Sequence, residues 1–266
     1  MNGPAADAQI DKRWVGRSFA AAAAHYDGVA GLQRAVGAQL LSRLPADASP
    51  AWALDVGTGT GWCAAALVQR YPAARVLALD IAEPMLRAAR QRVGVAPGRH
   101  YLGGDAEALP LADGSVDLVV SNLAVQWCAD LAQAFREFRR VLKPGGLVLL
   151  STFGPGTLVE LRRAWAVVDG YSHVNSFADA AAVAGTFREA GFSGAEVESE
   201  TRRLVYPDVH GLMRELKGLG AHNVTAGRPR HLMGKRRLQR MIAAYPAQEQ
   251  GEVRASFEMM YGRAWK

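Results

Sequence analysis

Ala51-Trp-Ala-Leu-Asp55-Val-Gly57-Thr-Gly59-Thr-Gly61 runs an apolar strand into an acid and then into three glycines spaced two apart, and residues 62 to 70 follow with the composition of a helix. Glycines lack the β-carbon that would hold a ligand away from a turn, and the unpaired amides at the start of the next helix supply donors. The stretch therefore predicts a strand, a ligand-holding turn and a helix. The glycines alone do not choose the ligand. Gly59-x-Gly61-x-x-Ala64 fits the relaxed dinucleotide pattern, and such turns also occur with no ligand at all. Asp55 discriminates, because a carboxylate beside the turn repels a pyrophosphate and orients a cationic ligand.

Further strand ends extend the pattern. Asp80 closes the apolar run Arg75-Val-Leu-Ala-Leu-Asp80, where a βαβ unit accepts a ribose diol, and Ile81 beside it is either a flank for a planar base or an ordinary core residue. Gly104-Asp105-Ala106-Glu107 follows a third strand at 100 to 102, and Ser121-Asn122-Leu123 follows a fourth at 116 to 120. Polar groups and glycines at successive strand ends lie where open α/β sheets bind ligands. A helix is expected from 131 to 142, stopped by Lys143-Pro144-Gly145-Gly146, before a fifth strand, Leu147-Val-Leu-Leu-Ser151. Helices are expected at 158 to 168 and 178 to 190, a sixth strand at 195 to 200 and an antiparallel seventh at 257 to 265.

The expected fold class is α/β: a Rossmann-like seven-stranded mixed sheet with an antiparallel last strand, flanking helices and an inserted helical substrate cap. Residues 1–50 read as an N-terminal leader and helical flap, 51–200 as the cofactor-binding core, 201–250 as an inserted substrate-recognition region and 251–266 as the final core strand. Within the first part, 1 to 13 read as a loose leader, with helices around 19 to 26 and 32 to 44. Phe19 and Tyr26, seven apart, can share one helical face. That makes the segment either a packing helix or a flap that brings Tyr26 and His25 to the site.

With 266 residues, half of them hydrophobic, the chain suffices for one large α/β domain and a cap. It has no apolar run of 18 residues and no basic start followed by an apolar signal core, so a membrane partner is not expected. Cys63 and Cys128 have neither metal-ligand spacing nor a disulfide framework, which favours a cytoplasmic location and activity without a metal. The net charge is +6, and residues 201 to 240 hold ten Lys and Arg against Asp208 and Glu215. This is either an ordinary solvated face or a surface for an anionic partner. A nucleic-acid partner is not expected, because no aromatic stacking motif accompanies these charges at the end of the fourth strand.

The strand-end residues, with Glu107-Ala-Leu-Pro-Leu-Ala-Asp-Gly-Ser-Val-Asp117 and Asn122-Leu-Ala-Val-Gln126-Trp127, resemble the Rossmann-like S-adenosylmethionine-dependent methyltransferases. The resemblance implies that Asp55, Gly57, Gly59 and Gly61 cradle the amino-acid end of S-adenosylmethionine and that Asp80 holds its ribose. It likewise brings Asp105 and Ala106 to the adenine, while Asn122 reads as a pocket-lining residue because it directly ends the fourth strand. Four stretches are similar, more specifically, to the BioC family of malonyl-acyl carrier protein O-methyltransferases. They are Ala23-Ala-His25-Tyr26-Asp27, Ser121-Asn-Leu-Ala-Val-Gln-Trp127, His173-Val-Asn175-Ser-Phe177 and Leu216-Lys-Gly-Leu-Gly-Ala-His222. This implies methyl transfer to the free carboxylate of malonyl-acyl carrier protein in biotin and pimelate synthesis, with malonyl-CoA as a further candidate acceptor.

A carboxylate is already ionised at neutral pH, so this chemistry needs no general base. It does need a cationic or hydrogen-bonding clamp, for which Arg17, Arg162, Lys217, His222 and Arg228 are candidates, and Trp127 either covers adenine or lines the substrate channel or anchors the following helix. A related small-molecule methyltransferase and a noncatalytic S-adenosylmethionine-binding protein are the alternatives.

Overall fold

Short apolar runs form the middle of the sheet, because strands covered on both faces need apolar side chains pointing both ways. In the computed structural model, which describes residues 10–221, 234–246 and 252–266, these runs are β1 (Trp52–Val56), β2 (Arg75–Asp80), β4 (Val116–Asn122) and β5 (Leu142–Phe153), with the more polar β3 (Arg99–Gly103) at the sheet edge beside β2. All pair in parallel. The last strand, β7 (Val253–Trp265), inserts antiparallel between β5 and β6 (Ser193–Tyr206). The order β3-β2-β1-β4-β5-β7-β6 is the expected mixed seven-stranded sheet. Its topological switch lies between β1 and β4, so a crevice opens at their carboxyl ends.

Strand alternation divides the core into two layers. Ala53, Val76 and Ala78 face α3 (Gly31–Leu41) and α4 (Trp62–Arg70), whereas Leu54, Val56, Leu77 and Leu79 face α6 (Leu131–Val141) and α8 (Ala180–Glu189). Helix α6 shows why that layer forms. Its Ala134, Phe135, Phe138 and Val141 fall on one face and are buried, and Asp130 caps it by accepting from the Gln133 amide at 2.9 Å. The Phe135 ring lies 4.3 Å from that of Phe187 on α8. On the other layer, α4 packs against α5 (Glu83–Val93), which begins with Pro84 in its first turn.

The chain before β1 differs from its expected reading. Helix α1 (Lys12–Ala22) starts inside the stretch read as a loose leader, because Asp11 accepts from the Trp14 amide at 3.1 Å and caps it. Residues 1 to 9 lie outside the described residues. The single helix expected over 19 to 26 is interrupted by a turn at Ala23, Ala24 and His25, after which α2 (Tyr26–Val29) begins.

Strands β6 and β7 extend to 14 and 13 residues, well beyond the expected bounds. Residues 201 to 206 pair with 253 to 258, so Arg202 and Arg203 belong to the sheet and not to a helical insertion. Charges alternate along β6, and that polar edge hid it. Helices α7 (Val159–Ala166), α9 (Val209–Gly218) and α10 (Lys235–Ala244) complete the described α-helices, the last two lying between β6 and β7. Among the described residues no helix is long and apolar enough to cross a membrane.

Candidate active site

The glycine turn sits on β1 and is tied to β2. Gly57 and Thr58 donate their amides to the Leu79 carbonyl at 2.8 and 2.9 Å, and Gly59 donates to Asp80 Oδ2 at 2.9 Å. Asp80 Oδ1 accepts from the Ala82 amide at 2.8 Å. Asp80 is thus the staple of the loop, a role the sequence reading missed. The glycines serve different needs. A β-carbon on Gly57 would lie 2.3 Å from Ala124 Cβ, and one on Gly61 would lie 2.8 Å from Ala89 Cα, whereas one on Gly59 would meet nothing within 4 Å. Gly57 permits close approach of the loop after β4, Gly61 permits α4 to pack on α5, and Gly59 leaves room for a ligand.

Two cavities lie beside this loop, and a third shares lining residues with them. The first, about 770 Å³ with its open mouth, is lined by Gly57, Gly59, Asp80, Ile81, Asp105, Ala106, Asn122, Tyr26 and Trp127, together with Lys12 and Phe19 from α1. The second, about 410 Å³, shares Tyr26, Gly57, Gly59 and Asn122 with it and adds Asp55, Asp27, Arg34, Thr60 and Gln33. The third, about 640 Å³, shares Trp127 with the first and Gln33 with the second. Its remaining wall includes Phe153, Leu158, Leu161, His173, Asn175, Phe177, Leu216 and Phe257.

Buried acids set the electrostatics of the first two cavities. Asp55 is 1% exposed and accepts from the Thr58 hydroxyl at 2.6 Å. Burial pushes its carboxyl up to about 7, and the Asp80 charge acts in the same direction. Burial also raises the Asp80 carboxyl, against backbone amides that favour its ionised form. The Tyr26 phenol is raised by burial and by the Asp80 and Asp27 carboxylates, so it stays protonated at neutral pH as a donor. These features fit a ligand with a cationic amino-acid end, a ribose and a planar base: buried acceptors, an open glycine cradle and an apolar slot at Ile81.

The loop after β4 is also constrained. Asn122 donates through Nδ2 to the Gln33 carbonyl at 3.0 Å and accepts from Ser151 Oγ at 2.8 Å. The next residue, Leu123, has a left-handed φ of +49°, held by its amide bonds to the Ser151 carbonyl and hydroxyl at 3.1 and 3.0 Å. On the opposite side, Lys12 pairs with Asp105 and Glu107, each at 2.7 Å. Phe19 meets Trp127 edge to face at 5.4 Å. Lys12 was hidden in the presumed leader; the cap Asp11 followed by Trp14, Val15, Ser18 and Phe19 was the helical signal.

Other candidates are not brought to these cavities. His25 is exposed in the turn before α2, although its neighbour Tyr26 lines two cavities. Arg17 is exposed on α1 and Lys217 is exposed on α9. Arg162 directs its guanidinium to the carbonyls of Pro155, Thr157 and Asn175 at 3.1, 3.4 and 3.4 Å. His222 and Arg228 lie outside the described residues. Gln33, Arg34 and Asp27 were missed because nothing in the local pattern links α2 and α3 to the glycine turn.

A sequence profile of the methyltransferase domain matches residues 54–150. Phosphoethanolamine N-methyltransferase 2 of Haemonchus contortus, solved in complex with S-adenosyl-L-methionine, aligns with a TM-score of 0.59 at 18% identity, covering 92% of this chain and 56% of that one. The fold and the glycine-cradled site define an S-adenosylmethionine-dependent methyltransferase. The malonyl-[acyl-carrier protein] O-methyltransferase of Methylococcus capsulatus is 51% identical over 97% of this chain and 94% of its own length. The biotin biosynthesis bifunctional protein BioHC of Cellvibrio japonicus is 47% identical over 95% of this chain and 50% of its own. The chain belongs to the family of malonyl-[acyl-carrier protein] O-methyltransferases.

Proposed function

We propose that the protein methylates the free carboxylate of malonyl-acyl carrier protein, giving its methyl ester and S-adenosylhomocysteine in biotin synthesis. The observation that carries this reading is the third cavity. It adjoins the cofactor cavity through Trp127 and is lined by His173, Asn175, Phe177, Leu216, Leu219 and Ala221. Those residues come from the two stretches that resemble this family outside the generic cofactor motifs.

Bound cofactor supplies a methyl on cationic sulfur, and a carboxylate oxygen forms the new C–O bond as the C–S bond breaks with its electron pair left on sulfur. The chain's own residues hold and align. Asp55 and Asp27 with Arg34 offer both signs of charge to an amino-acid zwitterion, Asp80 offers an acceptor to ribose, and Ile81 flanks adenine. Phe153, Leu158, Leu161 and Phe257 strip water from the acceptor, so alignment and desolvation supply the catalysis and no residue acts as a base.

Asp55 makes cofactor binding pH-dependent. Its folded-state carboxyl is raised to about 7, so below that value the empty site holds a proton that a cationic ligand expels. Affinity for S-adenosylmethionine is expected to rise from pH 6 to pH 8, with proton release on binding, measured by calorimetry in buffers of different ionisation enthalpy. Asp55→Asn should flatten this dependence. Stability of the ligand-free protein runs the other way, falling as pH rises from the unfolded carboxylate value to about 7, because the native state holds the extra proton.

For the carrier protein, Arg214 and Lys217 on α9 and Lys235 and Arg236 on α10 are exposed cations suited to an acidic surface. Arg237, by contrast, faces Asp169 at 3.9 Å. Malonyl-CoA is a weaker acceptor in this reading, nucleic acid is not a partner, and the free thiols Cys63 and Cys128 support a cytoplasmic location.

The test is transfer from methyl-labelled S-adenosylmethionine in matched reactions with malonyl-acyl carrier protein, acetyl-acyl carrier protein and RNA. Base-labile label on the malonyl form alone is expected; label on RNA, or on neither acyl protein, rejects the reading. In the same assay, Lys235→Glu with Arg236→Glu should lower kcat/KM for the carrier by about tenfold at low salt while leaving malonyl-CoA turnover unchanged.

A further inference from the structure

We infer that Gln33 orients the acceptor carboxylate, as a neutral hydrogen-bond donor at the junction of the second and third cavities; this rests on the methyl-transfer reading above. Gln33 Oε1 is buried and has no hydrogen-bond partner among the described residues. Such a group is uncommon in a folded interior, where leaving an amide unpaired is unfavourable. The side chain lines both the cavity that holds Asp55 and the glycine loop and the cavity lined by the family-specific stretches. Its backbone is fixed, since the Gln33 carbonyl accepts from Asn122 Nδ2 at 3.0 Å and so ties α3 to the end of β4. Rotation of the terminal amide exchanges its oxygen and nitrogen, so the same buried position presents an N–H donor.

The chemistry favours a neutral donor here. The carboxylate is anionic before reaction and becomes an uncharged ester, while the sulfur loses its positive charge. A guanidinium or ammonium would hold the ionised ground state more tightly than the transition state and so raise the barrier. An amide fixes one carboxylate oxygen in place and leaves the other free to attack, with a much weaker preference for charge. The third cavity agrees, since no Lys or Arg is among the described residues that line it. Its carboxylate, Glu215, accepts from the Tyr206 hydroxyl at 2.8 Å and repels an acidic acceptor from that part of the wall. Together these features steer the malonyl carboxylate toward Gln33 and hold it beside the methyl donor.

Q33L and Q33E test the assignment in steady-state reactions with malonyl-acyl carrier protein, beside calorimetric binding of S-adenosylhomocysteine. Q33L is expected to lower kcat/KM by about tenfold to a hundredfold, the usual consequence of losing one buried hydrogen bond to a charged group. Q33E, nearly the same shape, should lower it at least as far through repulsion. Both should still bind S-adenosylhomocysteine, with a loss of affinity smaller than the loss in kcat/KM, which separates a role at the acceptor from one at the cofactor. An active wild type with unchanged kcat/KM in Q33L overturns the Gln33 assignment alone, as does loss of S-adenosylhomocysteine binding in both variants. A wild type that methylates no malonyl thioester overturns the functional reading beneath it.

Discussion

Asp80→Ala is expected to weaken S-adenosylmethionine binding by a hundredfold or more. Asp80 Oδ2 holds the Gly59 amide at 2.9 Å and Oδ1 holds the Ala82 amide at 2.8 Å, so the substitution leaves two loop donors without their partner. Each such loss costs about 1–3 kcal/mol, and the ribose hydroxyls lose their acceptor as well. The ribose contact to a charged acceptor alone accounts for about 1.5–3 kcal/mol, and re-ordering the unstapled loop on binding adds to it, which gives about two orders of magnitude in affinity. Thermal stability should also fall through the two unpaired amides, but the loss is partly offset. Burial already disfavours the ionised carboxyl in the ligand-free site, and its removal relieves that penalty. Titration calorimetry beside a melting curve separates the two effects, and an affinity within about threefold of the wild type rejects the role.

Gly57→Ala is expected to have the second large effect, acting first through the fold. The added carbon would lie 2.3 Å from Ala124 Cβ, and the backbone at Gly57 has φ of +70°, where a side chain is strained. Backbone strain and overpacking together should cost about 2–5 kcal/mol of stability, measured by urea unfolding. The shift also displaces Leu123 and Ala124, which line the cofactor cavity. Gly59→Ala is the control. Its φ of +54° brings backbone strain, but its β-carbon meets no protein atom within 4 Å. It should therefore reduce cofactor affinity more than stability. Equal stability losses in the two variants would show that close packing at Ala124 is not what requires glycine at 57.

The sequence by itself determined the sheet and the cofactor loop, because both are encoded over short spans. Predominantly apolar runs at 52 to 56, 76 to 79 and 118 to 120 are suited to strands covered on both faces. The turn between β1 and α4 needs positive φ at Gly57, Gly59 and Gly61, a demand that glycine meets with no partner elsewhere in the chain. Strand-end acids followed from the same local logic. So did the resemblance carried by the stretches at 173 to 177 and 216 to 222.

Tertiary structure decided which side chains meet. His25 and Tyr26 are adjacent, yet the break after α1 leaves one exposed and brings the other to two cavities. Arg162 has the chemistry of a carboxylate clamp, but its guanidinium is engaged by three carbonyls, two of them from residues 155 and 157 and one from residue 175. Lys12 reaches Asp105 across 93 residues, and Gln33 stands beside Asn122 across 89. The register of β6 was equally hidden, because its charged edge becomes legible as a strand only when β7 pairs with it. The reason is common to all of these. Backbone conformation and hydrophobic periodicity act over a few residues, whereas the position of a long polar side chain depends on which distant surface packs against it and which donors that surface leaves unpaired.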